Sequence, residues 1–97
     1  MSRIYIAGPM TGLPDYNYPA FHARAAQLRA LGHHVENPAE TKPGDGWEWL
    51  DYMRSALAQL ITCDRVEMLP GGSKSRGATI EYDLAKSPGL PVVGAPE

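Results

Sequence analysis

Residues 65–81 decide the fold: Arg65-Val66-Glu67-Met68-Leu69-Pro70-Gly71-Gly72-Ser73-Lys74-Ser75-Arg76-Gly77-Ala78-Thr79-Ile80-Glu81. The first five residues are β-branched and apolar enough for a strand, and Pro70-Gly71-Gly72 ends it. From about Arg76 to Lys86 the pattern predicts a helix. A strand that enters a helix through a glycine-rich loop is half of a parallel βαβ unit.

Working outward, Arg3-Ile4-Tyr5-Ile6-Ala7 reads as a first strand, stopped by Gly8-Pro9. The segment from about Tyr18 to Leu31 places Phe21, Ala25, Leu28 and Leu31 at helical spacing, with Pro19 in its first turn and Gly32 at its end. His33 to Glu36 is predicted as a second strand. A second helix carries Leu50, Met53, Leu57, Leu60 and Ile61 as its buried stripe, and Pro91-Val92-Val93-Gly94 gives a last strand. The order βαβαβαβ demands right-handed crossovers and helices on both faces. The expected architecture is an α/β, Rossmann/flavodoxin-like three-layer sandwich with a four-stranded parallel sheet in the order 2-1-3-4. The 97 residues leave room for one domain, spanning 1–97.

The bulk properties narrow the partners. A formal charge of -2 and nine scattered Lys and Arg argue against a nucleic-acid polymer. No apolar stretch approaches a membrane span, and the run after Met1 is too short for an export signal, so a cytoplasmic location is expected. Cys63 is the only cysteine, which excludes an internal disulfide and a cysteine metal cluster. His33 and His34 are neighbours in a strand and point to opposite faces, and His22 falls on the exposed side of the first helix. No metal site and no cofactor are expected.

In open parallel sheets, ligands bind beyond the carboxyl ends of the strands, where the strand order reverses. Two Gly/Pro-rich loops occupy those ends: Gly8 to Gly12, and Pro70 to Gly77. The second runs into a helix N-terminus, whose free N–H groups and dipole favour an anion. Ser75 can cap that helix or donate to a phosphate. Gly77 and Ala78 lie four and three residues before Glu81, so their small side chains leave space above its carboxylate. A sugar fits there with its phosphate at the helix end. The plainer reading stays open: Glu81 early in a helix complements the dipole, and a strand tyrosine such as Tyr5 packs a sheet face. Trp47 and Trp49 either stack on a base or close the core. Asp64, ahead of the third strand, is read as structural.

Ile4-Tyr5-Ile6-Ala7-Gly8-Pro9-Met10-Thr11-Gly12, Cys63-Asp64 and Ser75-x-Gly77-x-x-x-Glu81 together resemble the nucleoside 2-deoxyribosyltransferase superfamily. More narrowly, they resemble its small phage and bacterial branch of unknown function, related to 2′-deoxynucleoside 5′-monophosphate N-glycosidases. The resemblance implies that Glu81 is a nucleophile attacking the anomeric carbon and that Tyr5 orients it. It implies that Gly8, Thr11 and Gly12 contact sugar or phosphate. In the family's nucleoside transferases an Asp stands six residues before the nucleophile, and in its nucleotide hydrolases a Ser. Ser75 therefore points to a nucleoside 5′-monophosphate, with Arg76 and Gly77 also around its phosphate.

Relatives often carry an Asp where this chain has Ala56, and many continue through a fifth strand. A homo-oligomer is expected on the same resemblance. Two alternatives remain. One is a ribonucleoside-monophosphate phosphoribohydrolase, whose Pro-Gly-Gly-x-Gly-Thr-x-x-Glu motif would place its Glu three residues before Glu81. The other is a non-catalytic nucleotide-binding or sensing module.

Overall fold

The computed structural model describes residues 2–72, 75–86 and 89–93. Its strands are β1 (Arg3–Ala7), β2 (His34–Glu36), β3 (Arg65–Met68) and the two-residue β4 (Val92–Val93). Its α-helices are α1 (Tyr18–Ala30), α2 (Trp49–Leu60) and α3 (Arg76–Lys86). All pairings are parallel, in the order β2-β1-β3-β4. Ser73, Lys74 and Gly94, named in the loop and strand expectations, lie outside the described residues.

Strand β1 is the centre of the molecule because alternate side chains serve opposite faces. Ile4 and Ile6 pack with Phe21, Ala25 and Leu28 of α1. Tyr5 and Ala7 pack with Ala56 and Leu60 of α2 and with Ala78 and Ala85 of α3. Full burial of an isoleucine is worth roughly 1.5–3 kcal/mol, so these two small clusters hold the three layers together. Polar ties close the sheet's other end: the Asp64 carboxylate accepts from the Arg3 backbone N–H at 2.8 Å, and Arg3 pairs with Glu36 at 2.9 Å.

Two residues expected in the buried stripe of α2 are exposed, as is Leu31, expected at helical spacing with Phe21, Ala25 and Leu28. Leu31 follows the last residue of α1, where the chain turns at Gly32, and is 72% exposed. Leu50 in the first turn of α2 and Ile61 just past its last turn are 52% and 68% exposed. The buried stripe of α2 runs instead through Met53, Ala56 and Leu60, which share one face at spacings of three and four. The strand expected from His33 begins at His34, and Leu69 lies just beyond β3, although its N–H still donates to the Ala7 carbonyl at 2.8 Å.

Between β1 and α1 the chain makes an unusual turn at Pro14–Asn17. Asp15, Tyr16 and Asn17 all adopt positive φ, at 51°, 52° and 61°. A side chain in this region costs roughly 1–2 kcal/mol per non-glycine residue, least for Asn and Asp.

Candidate functional site

The strand order reverses between β1, which feeds α1 on one face, and β3, which feeds α3 on the other. The carboxyl ends of these two strands therefore open a crevice, and loops from both line it. Gly8 continues β1 into that crevice. A Cβ there would stand 2.8 Å from Leu69 Cβ, so only glycine lets the ends of the two strands approach this closely.

At the far side, α3 begins at Arg76 with Ser75 as its cap. The Ser75 Oγ accepts from the Ala78 N–H at 3.2 Å, and its carbonyl accepts the first helical bond from Thr79 at 3.0 Å. Ser75 Oγ acts as acceptor in the cap, and among the described residues its O–H donates to no partner. One and a half turns on, Glu81 points inward and is 6% exposed. A Cβ at Gly77 would meet Met53 Sδ at 3.1 Å, so the missing side chain keeps both the α2–α3 contact and the space near Glu81.

Tyr5 reaches the same carboxylate from beneath. Its hydroxyl donates a hydrogen bond to Glu81 Oε2, joining β1 to α3 in the buried interior. Burial raises the Glu81 pKa from the ordinary 4.5 to about 7, and the Tyr5 hydrogen bond acts in the opposite direction by favouring the ionised form. Burial also pushes the Tyr5 hydroxyl well above its usual value, with the Glu81 charge adding to the effect. The Tyr5 hydroxyl thus keeps its proton throughout the neutral range and serves Glu81 as a hydrogen-bond donor.

Above this pair lies a cavity of about 390 Å³. Gly8, Thr11, Ser75, Gly77, Ala78 and Glu81 line it from the two loops and α3. An adjoining recess of about 300 Å³ is lined by Thr11, Trp49, Ser75, Arg76 and Gly77. The structure thus brings together Gly8, Thr11, Ser75, Arg76, Gly77 and Glu81. Tyr5 stands behind the wall and lines neither space, meeting the site through its hydrogen bond to Glu81. Gly12 lines neither space; its φ of 84° serves the turn of the loop.

Sequence reasoning missed much of the opposite wall. Tyr16, Phe21, Pro38, Tyr52 and Met53 also line the larger cavity, together with Trp49. Trp49 and Tyr52 are three residues apart on one helix, a spacing that marks a shared face. Tyr16 carries no comparable signal. Trp49 holds the Arg76 guanidinium 4.5 Å above its ring, and Trp47 packs edge-on against Tyr52 with ring centroids 5.2 Å apart. Ala56 is buried in the cluster that surrounds Tyr5, and Glu81 is the one carboxylate among the described lining residues. Among the described residues no group of three His, Cys, Asp or Glu is placed to hold a metal, and no helix is long and apolar enough to cross a membrane. The lone thiol of Cys63 is buried, and burial raises its pKa.

Two solved structures share this architecture. A 2-deoxyribosyltransferase from Bacillus psychrosaccharolyticus superposes with a TM-score of 0.74 at 20% identity, over 93% of this chain and 69% of that one. A conserved protein from Enterococcus faecalis V583 superposes with a TM-score of 0.68 at 21% identity, over 95% of this chain and 61% of that one. The chain thus spans under two thirds of the Enterococcus protein's length. No curated protein matches the sequence significantly. The family model described as "Domain of unknown function (DUF4406)" matches residues 2–94. The chain belongs to that family, and its fold is nucleoside 2-deoxyribosyltransferase-like.

Proposed function

We propose that the chain breaks or exchanges the N-glycosidic bond of a 2′-deoxynucleoside 5′-monophosphate, with Glu81 as nucleophile. One observation carries the reading. A buried carboxylate, held by a tyrosine hydroxyl, borders the same cavity as the cap of a helix N-terminus. A sugar phosphate spans that arrangement, with its anomeric carbon at Glu81 and its phosphate at Ser75, Arg76 and Gly77. Thr11 and the Gly8 backbone lie along its length.

In the first step a carboxylate oxygen of Glu81 bonds to C1′ as the C1′–N bond breaks, and the base leaves with the bonding electrons and takes up a proton. In the second, water or another base attacks C1′ and releases a proton to solvent as the ester bond returns its electrons to Glu81. Splitting one displacement in this way is the strategy of retaining glycosidases. Tyr5 holds the carboxylate in place and favours its ionised, nucleophilic form. The fold shared with a 2-deoxyribosyltransferase supports the same class of reaction.

A second reading has its own observation. Ala56 is packed in the core, and no other carboxylate stands among the described lining residues to protonate a departing base. Such a cavity also suits a protein that binds a nucleotide without cleaving it. Purified protein incubated with deoxy- and ribonucleoside monophosphates, analysed chromatographically for free base, separates the two. Base released from the deoxynucleotides supports the glycosidase; saturable binding without release supports the binder; release from ribonucleotides alone removes deoxyribose specificity.

A further inference from the structure

Asp15, Tyr16 and Asn17 form three consecutive left-handed residues, and the middle one lines the cavity while remaining 61% exposed. Strain of this kind persists only where the surrounding structure holds it, and it clusters at ligand clamps. Here the anchors are visible. Asn17 Nδ2 donates to the Pro9 carbonyl at 3.0 Å, fastening the end of the segment to the end of β1. The Leu13 and Tyr16 N–H groups close two tight turns onto Met10 and Leu13 at 3.1 and 3.0 Å. At the other end, Gly12 is left-handed and a Cβ there would meet nothing within 4 Å. Residues 12–17 thus make a short self-bonded flap with a free joint at one end and a tether at the other.

The cavity this flap borders is aromatic on two sides. Tyr16 comes from the flap, while Trp49 and Tyr52 come from α2. Glu81 and Ser75 stand at the parts of the wall that would take sugar and phosphate. We propose that the Asp15–Asn17 turn is a strained flap and that Tyr16 is a ligand-binding residue that closes over the planar base of a nucleotide. The inference rests on the reading that the cavity takes a nucleotide, but not on any chemistry at Glu81. Base–aromatic stacking tolerates every base, so Tyr16 contributes affinity for a nucleobase rather than choice among bases. The local turns and the exposed joint at Gly12 give the flap the small number of soft dihedrals that a hinge needs.

Calorimetric titration tests this in proteins that all carry Glu81→Gln, so that no ligand is consumed. The probes are deoxyguanosine 5′-monophosphate and 2-deoxyribose 5-phosphate, which lacks the base. Tyr16→Ala is expected to weaken the nucleotide roughly tenfold while leaving the sugar phosphate unchanged. Tyr16→Phe keeps the ring and is expected to bind like the parent. Ala at position 16 keeps the backbone strain, so the comparison isolates the ring. Asp15→Gly relieves strain and is expected to raise the melting temperature by a few degrees while weakening the nucleotide.

Unchanged nucleotide affinity in Tyr16→Ala, or an equal loss for both probes, overturns the role of Tyr16 and leaves the nucleotide reading standing. An unchanged melting temperature in Asp15→Gly overturns the strained flap. If the parent binds neither probe, the nucleotide reading falls and the flap proposal with it.

Discussion

The Tyr5 hydroxyl at the centre of β1 donates to the Glu81 carboxylate of α3, across 76 positions of sequence. Both groups are buried, and their hydrogen bond sits where the sheet meets the α2–α3 layer. Removing Tyr5 from the bond takes away the one interaction that favours the ionised carboxylate against its desolvation. Tyr5→Phe should therefore move the Glu81 pKa further above about 7. The acid limb of the kcat/KM profile should shift upward in pH, with a loss of roughly fivefold at pH 7 that recovers in alkaline buffer. A profile with an unmoved acid limb would remove Tyr5 from the control of Glu81.

The same carboxylate makes folding stability depend on pH. Its folded pKa of about 7 exceeds the ordinary 4.5, so between these values the folded chain binds more protons than the unfolded one. Its stabilising contribution is complete below the unfolded value and is lost as pH rises through the folded one. Other groups being equal, stability should fall by on the order of 3 kcal/mol from pH 4.5 to above pH 7. Urea unfolding across this range checks it: Glu81→Gln should flatten that part of the curve, and an equally steep curve in the variant would assign the dependence to other groups.

Gly8→Ala places a Cβ 2.8 Å from Leu69 Cβ, an atom fixed to the backbone and unable to swing aside. The strand ends must then part, costing about 1–3 kcal/mol. A lowered melting temperature, together with weaker ligand binding at the crevice, is expected. A melting temperature equal to the parent's would mean that the two strand ends approach less closely than described.

Much of this was legible because β1 and α3 obey local rules. Arg3–Ala7 is bounded by Gly8-Pro9, and Arg76–Lys86 begins where Ser75 caps it, so both spans agree with the sequence reading. The exposed Leu31, Leu50 and Ile61 were not legible, since apolar spacing marks a helix face without saying where its partner layer ends. Tyr16 was hidden for a different reason. Its place on the cavity depends on left-handed backbone at Asp15 and Tyr16, which side-chain pattern does not announce for residues other than glycine. The meeting of Tyr5 with Glu81 was favoured only through family resemblance; strand position alone favoured packing against a sheet face.

Ser75→Asp separates capping from ligand recognition. Aspartate caps a helix as well as serine, so the melting temperature should hold. Its added charge should repel a phosphate at the same helix end and weaken a nucleoside monophosphate by about tenfold or more, with the nucleoside much less affected. Equal effects on nucleotide and nucleoside would place the phosphate elsewhere.

The most direct measurement compares base release from deoxynucleoside monophosphates by the parent chain and by Glu81→Gln, with binding followed alongside. The amide keeps the shape of the side chain and loses the nucleophile. Free base from the parent and none from a variant that still binds the nucleotide is the expected result. A variant that liberates base at the parental rate would contradict the assignment of the buried carboxylate as nucleophile.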